Sequence, residues 1–376
     1  MRARPQPHPG PGAGVTKAMR LGVAYNVFDG EELLEDSVLS VRALACHVVV
    51  VYQLTSNWGE RARPGLEVLL RSLHARGLVD ELRCVEPTPI PPGPDRAAMV
   101  SSNAPTTDVG TDRTYASLND AFFMELRKRE VGRQMCKAAG CTHFMSMDTD
   151  EFYQRGELES LMALMERALA GTGRPPLASV APMRLLFKDP RWELLPQEDS
   201  FMVPVVCVCD DAHPLRLMSD WKLVVDPTRR VDCHRNDVLV VPRSTCEMWH
   251  MSFVRHDVAC KLRNTSNREN YGAVANDASD PNSAFARDFA AWEPHMPPIH
   301  PHPVWRKFYT TARVLPNHFG VDLEACCAYC LRPRAPLRCA QCKTARYCTP
   351  ACQGMHWDSG ENDAHRNNCK GDGGPV

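Results

Sequence analysis

Eight of the seventeen cysteines in this 376-residue chain crowd between positions 326 and 369, at Cys326, Cys327, Cys330, Cys339, Cys342, Cys348, Cys352 and Cys369, with His365 just before the last. So short a segment has too little apolar surface to fold alone, and its donors must be tied together. Their spacing favours a metal over disulfides. Cys327-x2-Cys330, Cys339-x2-Cys342, Cys348-x3-Cys352 and His365-x3-Cys369 each set two soft donors about one turn apart, within reach of one tetrahedral ion at ~2.0–2.3 Å. Four such pairs predict two zinc ions organising a C-terminal module at residues 322–369, followed by a tail at 370–376.

The residue order resembles the MYND zinc finger, through Arg346-Tyr347-Cys348-Thr349-Pro350-Ala351-Cys352-Gln353, then Trp357, then His365-Arg366-Asn367-Asn368-Cys369. The resemblance implies interleaved ligands, with one zinc on Cys327, Cys330, Cys348 and Cys352 and the other on Cys339, Cys342, His365 and Cys369. It also implies a protein partner, typically a short proline-containing peptide in a shallow groove. The stretch from Trp357 to His365 is longer than the family usually has, which leaves His356 as an alternative ligand, and Cys326 is a spare thiol. Arg332, Arg334, Arg338, Lys343 and Arg346 make only a modest basic patch, so nucleic acid is not expected as a partner.

The residues before this module suffice for a large core. A net charge of −1 with 24% charged residues gives no basic field for nucleic acid. Residues 1–18, rich in Pro and Gly, read as a disordered leader without the apolar run of a signal peptide. No stretch approaches the ~20 apolar residues of a membrane span. The expectation is a soluble, intracellular protein, cytoplasmic with a nuclear location open, in keeping with reduced thiols.

From Met19 onward strands and helices alternate. Arg20 to Asn26 reads as a strand, Glu31 to Ala45 as a helix with Leu33, Leu34, Val38 and Leu39 inward, and His47 to Tyr52 as a second strand. A helix over Pro64 to Arg76 and a strand over Glu81 to Val85 complete a βαβαβ pattern of nucleotide-binding type. A long helix then follows a capping box, Ser117-x-x-Asp120, and carries Phe122, Leu126, Met135 and Ala139 inward. These elements predict an α/β fold with a mixed, mostly parallel sheet.

The strand from His143 runs straight into Asp148-Thr149-Asp150. The two carboxylates therefore sit at a strand's C-terminal end, where open α/β sheets bind ligands, and can share a hard divalent cation that bridges a diphosphate. With this DxD motif, residues 19–315 resemble a GT-A-type glycosyltransferase. The resemblance implies a nucleotide-sugar donor, Mn²⁺ or Mg²⁺ at Asp148 and Asp150, His250 as a further metal ligand, and Arg255 and Lys261 on the leaving diphosphate. An inverting enzyme would also need a general base, for which Glu198, Asp199 and Asp220, with Asp189, are candidates facing an unknown acceptor. Trp192, Trp221 and Trp249 read as core rather than sugar platforms.

Residues 265–315 look irregular and partly linker, with prolines interleaved with His295, His300 and His302. Two functions follow from this reading: a metal-dependent glycosyltransferase whose finger recruits a partner, or a non-catalytic adaptor on a degenerate fold. A MYND-linked methyltransferase fails, because Asn317-His318-Phe319 is only a fragment of that signature.

Overall fold

The computed structural model describes residues 18–102, 104, 118–172, 176–197, 199, 201–221, 223–266, 268–271, 284–358 and 364–369. Valine-rich β1 (Leu21–Val27) and β2 (His47–Tyr52) are buried on both faces and pair in parallel, joined by helix α1 (Glu31–Arg42). Helix α2 (Leu66–Ala75) leads to β3 (Glu81–Cys84), which pairs parallel to β2. After the short helix α3 (Pro94–Ala98), helix α4 (Asp120–Ala138) is capped by Asn119, whose side chain accepts from the Phe122 N–H, and Ser117 lies outside the described residues. It delivers β4 (His143–Asp148), parallel to β1, with Asn26 opposite Asp148.

The chain continues through β5 (Glu151–Phe152), α5 (Arg155–Thr172), β6 (Ala178–Phe187), β7 (Trp192–Leu195), β8 (Phe201–Val208), β9 (Val224–Val225), β10 (Val238–Val240) and β11 (Met248–Phe253). The main sheet runs β7-β6-β8-β4-β1-β2-β3, with β8 antiparallel to both β4 and β6 and β11 parallel to β6. The architecture is α/β with a mixed, mostly parallel sheet, as expected.

Within the segment expected to be partly linker, described residues pack onto the body. Helices α6 (Val258–Asn264), α7 (Arg268–Tyr271), α8 (Ala284–Ala291) and α9 (Pro303–Phe308) lead to β12 (Thr311–Val314), which pairs antiparallel to β7. Trp292 is buried and packs edge-on against Phe187 and Trp192, in an apolar cluster that also takes Phe285 and Tyr309. Aromatic residues, which carry large transfer energies, draw the proline-rich stretch onto the body despite its broken periodicity.

Helix α1 departs further from its sequence pattern. Leu33, Leu34, Val38 and Val41 are buried, but Leu39 is 46% exposed, while the carboxylates Glu31, Glu32, Glu35 and Asp36 are buried. The C-terminal module meets two of them, Glu35 and Asp36: in it β13 (Leu337–Arg338) pairs with β14 (Arg346–Tyr347), followed by α10 (Pro350–Asp358) and α11 (His365–Asn368). Arg334 donates to Asp36 at 2.7 Å, and Arg332 lies 3.4 Å from Glu35, which Arg76 also grips with two bonds. At Gly65, ahead of α2, a Cβ would stand 2.2 Å from the Tyr329 carbonyl, so only glycine admits the module's backbone there.

Burial pushes the Asp36 carboxyl up to about 6, more than Arg334 lowers it. A folded value above the ordinary ~3.9 means that ionising Asp36 weakens the folded state. Its contribution is intact below pH ~4 and lost as pH rises through about 6. Asp36→Asn is therefore expected to gain on the parent by roughly 2 kcal/mol between pH 4 and 7 in denaturant melts. A parallel pH dependence in the two proteins would refute this.

Candidate functional site

At the C-terminal ends of β1 and β4, Asp148 and Asp150 enter a network of buried cations. Arg129, on the inward face of α4, donates to both Asp148 oxygens at 3.1 and 3.0 Å. Arg229 reaches Asp148 at 2.6 Å and forks onto Glu151 at 2.7 and 2.5 Å. Asp150, fully buried, accepts at one oxygen from both Lys261, at 2.6 Å, and Arg255, at 2.7 Å. Burial alone would raise both carboxyls, yet the paired cations outweigh it and hold both well below the usual carboxylate range. Glu151, by contrast, is pushed up by burial to about 7 in spite of Arg229.

Backbone geometry sets this arrangement. Gly30 closes the turn after β1 with φ +79°, and a Cβ there would stand 2.1 Å from Arg255 and 2.3 Å from the Thr149 hydroxyl. That hydroxyl donates to the Asp29 carbonyl at 3.1 Å, locking the motif's middle residue to the turn. Helix α6, which carries Lys261, is anchored to the loop after β2: Arg263 forks onto Glu60, Asn264 donates to Glu60, and the Trp58 indole donates to the Thr265 carbonyl.

The site opens into a polar cavity of about 110 Å³, lined by Asn26, Asp29, Lys128, Asp148, Asp150 and Lys261 among others. Lys128, lowered by burial to about 8, donates to Gln53 at its wall. A larger cavity of about 540 Å³ lies against α4 and β3, away from these carboxylates. Among the described residues, nine buried side-chain polar atoms lack a hydrogen-bond partner. Five belong to Asn26, Asp150, His250, Arg255 and Asn264, all around this one site.

The expected residues are thus partly assembled. Asp148, Asp150, Arg255 and Lys261 converge, and His250 lies 3.9 Å from Asp150, its imidazole lowered by burial to about 4. The donor set does not fit a divalent ion: two cations already share one Asp150 oxygen, Arg129 takes both Asp148 oxygens, and Asp150 and His250 find no third ligand close enough to share an ion among the described residues. The base candidates do not converge. Asp199 is exposed and paired to Arg243, Asp189 is paired to Arg191, Asp220 does not line the cavity, and Glu198 lies outside the described residues. Arg129, Arg229 and Gly30 were missed. Arg129 had a signal, since it falls on the same inward stripe as Phe122, Leu126 and Arg133.

In the C-terminal module the interleaved pairing holds. The donor atoms of Cys327, Cys330, Cys348 and Cys352 lie within 4.8 Å of one another, as do those of Cys339, Cys342, His365 and Cys369. Sulfur separations of 3.6, 3.4 and 3.8 Å in the first cluster, and 3.7 Å between Cys339 and Cys369, match the ~3.8 Å edge of a tetrahedron with ~2.3 Å bonds. Both clusters fit structural zinc. His356 instead bonds the Tyr347 hydroxyl at 3.1 Å, and the Cys326 thiol faces the Asp322 carbonyl.

Residues 327–369 match the family model of the MYND finger, so the chain ends in a finger of that type, a protein-interaction module. A search of curated proteins returned no match. Among solved structures, S. aureus TarS shares 10% identity over 73% of this chain and 45% of its own length, at a TM-score of 0.32. Its 1-349 form shares 12% over 72% and 78%, also at 0.32. The mannose-1-phosphate geranyltransferase of Thermus thermophilus shares 12% over 79% and 74%, at 0.23. This chain spans less than half of the first TarS chain. No helix among the described residues is long and apolar enough to cross a membrane.

Proposed function

We propose that residues 19–315 form a GT-A-type glycosyltransferase domain that binds a nucleotide sugar at Asp148 and Asp150 and transfers the sugar to an acceptor. The finger, holding zinc at both clusters, recruits a protein partner through a proline-containing peptide. The observation that carries the first part is the gathering of orphaned buried polar atoms around the two carboxylates. Buried polar groups in folded proteins are nearly always satisfied, and a set left open in one place calls for a ligand. Asn26, Asp150 and Asn264 offer acceptor oxygens suited to sugar hydroxyls, while Arg255, Lys261 and Lys128 offer donors and charge for a diphosphate. The Mn²⁺ or Mg²⁺ expected from the motif is not part of this reading.

The test is thermal. A uridine or guanosine diphosphate sugar at about 100 times its dissociation constant is expected to stabilise the chain by ~2.7 kcal/mol, or roughly 3–5 °C. Asp150→Ala, and the closer isostere Asp150→Asn, should remove the shift while the variant still melts cooperatively. No shift with any nucleotide sugar would favour the non-catalytic adaptor, in which the carboxylates and cations only hold the fold together.

A further inference from the structure

We infer that this site binds a nucleotide diphosphate without a divalent cation, Lys261 and Arg255 occupying the place a metal would hold on Asp150. The inference rests on the nucleotide-binding reading above. A metal bridging Asp150 to phosphate must coordinate a carboxylate oxygen at ~2.1 Å. One oxygen of Asp150 already accepts from the Lys261 ammonium at 2.6 Å and the Arg255 guanidinium at 2.7 Å, and the other, buried without a partner, belongs to the same carboxylate, so an ion bound at either would sit close to two like charges. Asp148 offers no second donor, because Arg129 and Arg229 hold its oxygens. Among the described residues, the clusters of three or more ligands close enough to share an ion are both in the finger.

The cations are placed for phosphate instead. Lys261 lines the cavity with its side chain 20% exposed, and an ammonium has three N–H groups, of which Asp150 takes one. Arg255 also lines the cavity, and its Nε–H is buried with no partner. Asp150 thus orients two donors, while Glu60 and Trp58 hold the helix and loop that carry Lys261 in position. Lys261 is the residue expected to touch the diphosphate directly.

Isothermal titration of the full, zinc-loaded chain with UDP and with GDP tests this. The chain is dialysed into buffer free of added metal and free of chelator, so that the finger keeps its zinc. At least one diphosphate should bind, with an affinity that added Mn²⁺ or Mg²⁺ changes by less than about twofold. Losing a charge-assisted contact should weaken metal-free binding at least about tenfold in Lys261→Met, whereas Lys261→Arg, which keeps the charge, should stay within a few-fold of the parent. Binding that requires Mn²⁺, or Lys261→Met binding as the parent does, overturns the inference but leaves the nucleotide reading standing. No binding of either diphosphate with or without metal overturns both.

Discussion

Stripping zinc with a strong chelator is expected to lower the melting temperature of the whole chain by roughly 4–5 °C, beyond unfolding the finger itself. Structural zinc in small domains supplies most of their folding energy, so the finger without metal should lose its fold. Here the loss spreads. Cys327, Cys330, Ala335, Cys339 and Tyr347 share one apolar cluster with Val38 and Val41 of α1 and Leu66, Leu69 and Leu70 of α2. Unfolding the finger also strips Arg334 from Asp36 and Arg332 from Glu35, exposing apolar faces and breaking ion pairs with buried carboxylates. A penalty of ~3 kcal/mol is reasonable for such losses and corresponds to several degrees in a domain of this size. Calorimetry with elemental analysis decides it: about two zinc ions per chain before chelation, and a coupled fall in the main transition after it. A main transition that stays within a degree would make the finger a mere appendage.

Arg229→Met should cost about 3–5 kcal/mol, the loss typical of removing one partner from a buried ion cluster. Arg229 is 4% exposed and grips Glu151, Asp148 and Asp226 together. Without it Glu151, 2% exposed, keeps no cation on its carboxylate among the bonds described. The cost should also depend on pH. Glu151 is pushed up to about 7 even beside Arg229, and the variant would raise it further. A folded value above the unfolded one means stability is present at low pH and lost as pH rises through the folded value. The variant should therefore recover part of its loss at pH 6 and lose most at pH 8. Arg229→Lys, unable to fork, should recover little. Arg191→Met, which removes a half-exposed partner of Asp189, should by contrast change stability by no more than about 0.5 kcal/mol. A pH-independent loss of that small size in Arg229→Met would end this account of the network.

The strand and helix pattern was largely legible because it is local. Apolar runs place β1, β2 and β4 within a residue of expectation, and a strand that ends in Asp148 must carry its carboxylates to the sheet's ligand-binding edge. The finger was legible for the same reason, since donors two or three residues apart face one ion whatever surrounds them. Reading failed where a remote partner reversed a local rule. Leu39 points outward and Asp36 inward because the finger, about 300 residues further along the chain, covers the other face of α1. Residues 284–314 have no helical or strand period strong enough to predict packing, yet Trp292 and Tyr309 find a shared pocket.

The sequence alone therefore determined the zinc module and the edge of the sheet on which Asp148 and Asp150 stand, and the resemblance to the MYND finger implied the interleaved pairing. Only the tertiary structure decided what those carboxylates face. Arg129, Arg229, Arg255 and Lys261 come from separate elements, up to 111 residues away from the aspartates they meet. Their convergence turns a motif that reads as a metal site into a cluster of paired buried charges. Electrostatics over a few ångströms set that outcome, and sequence spacing carries no information about distances closed by folding.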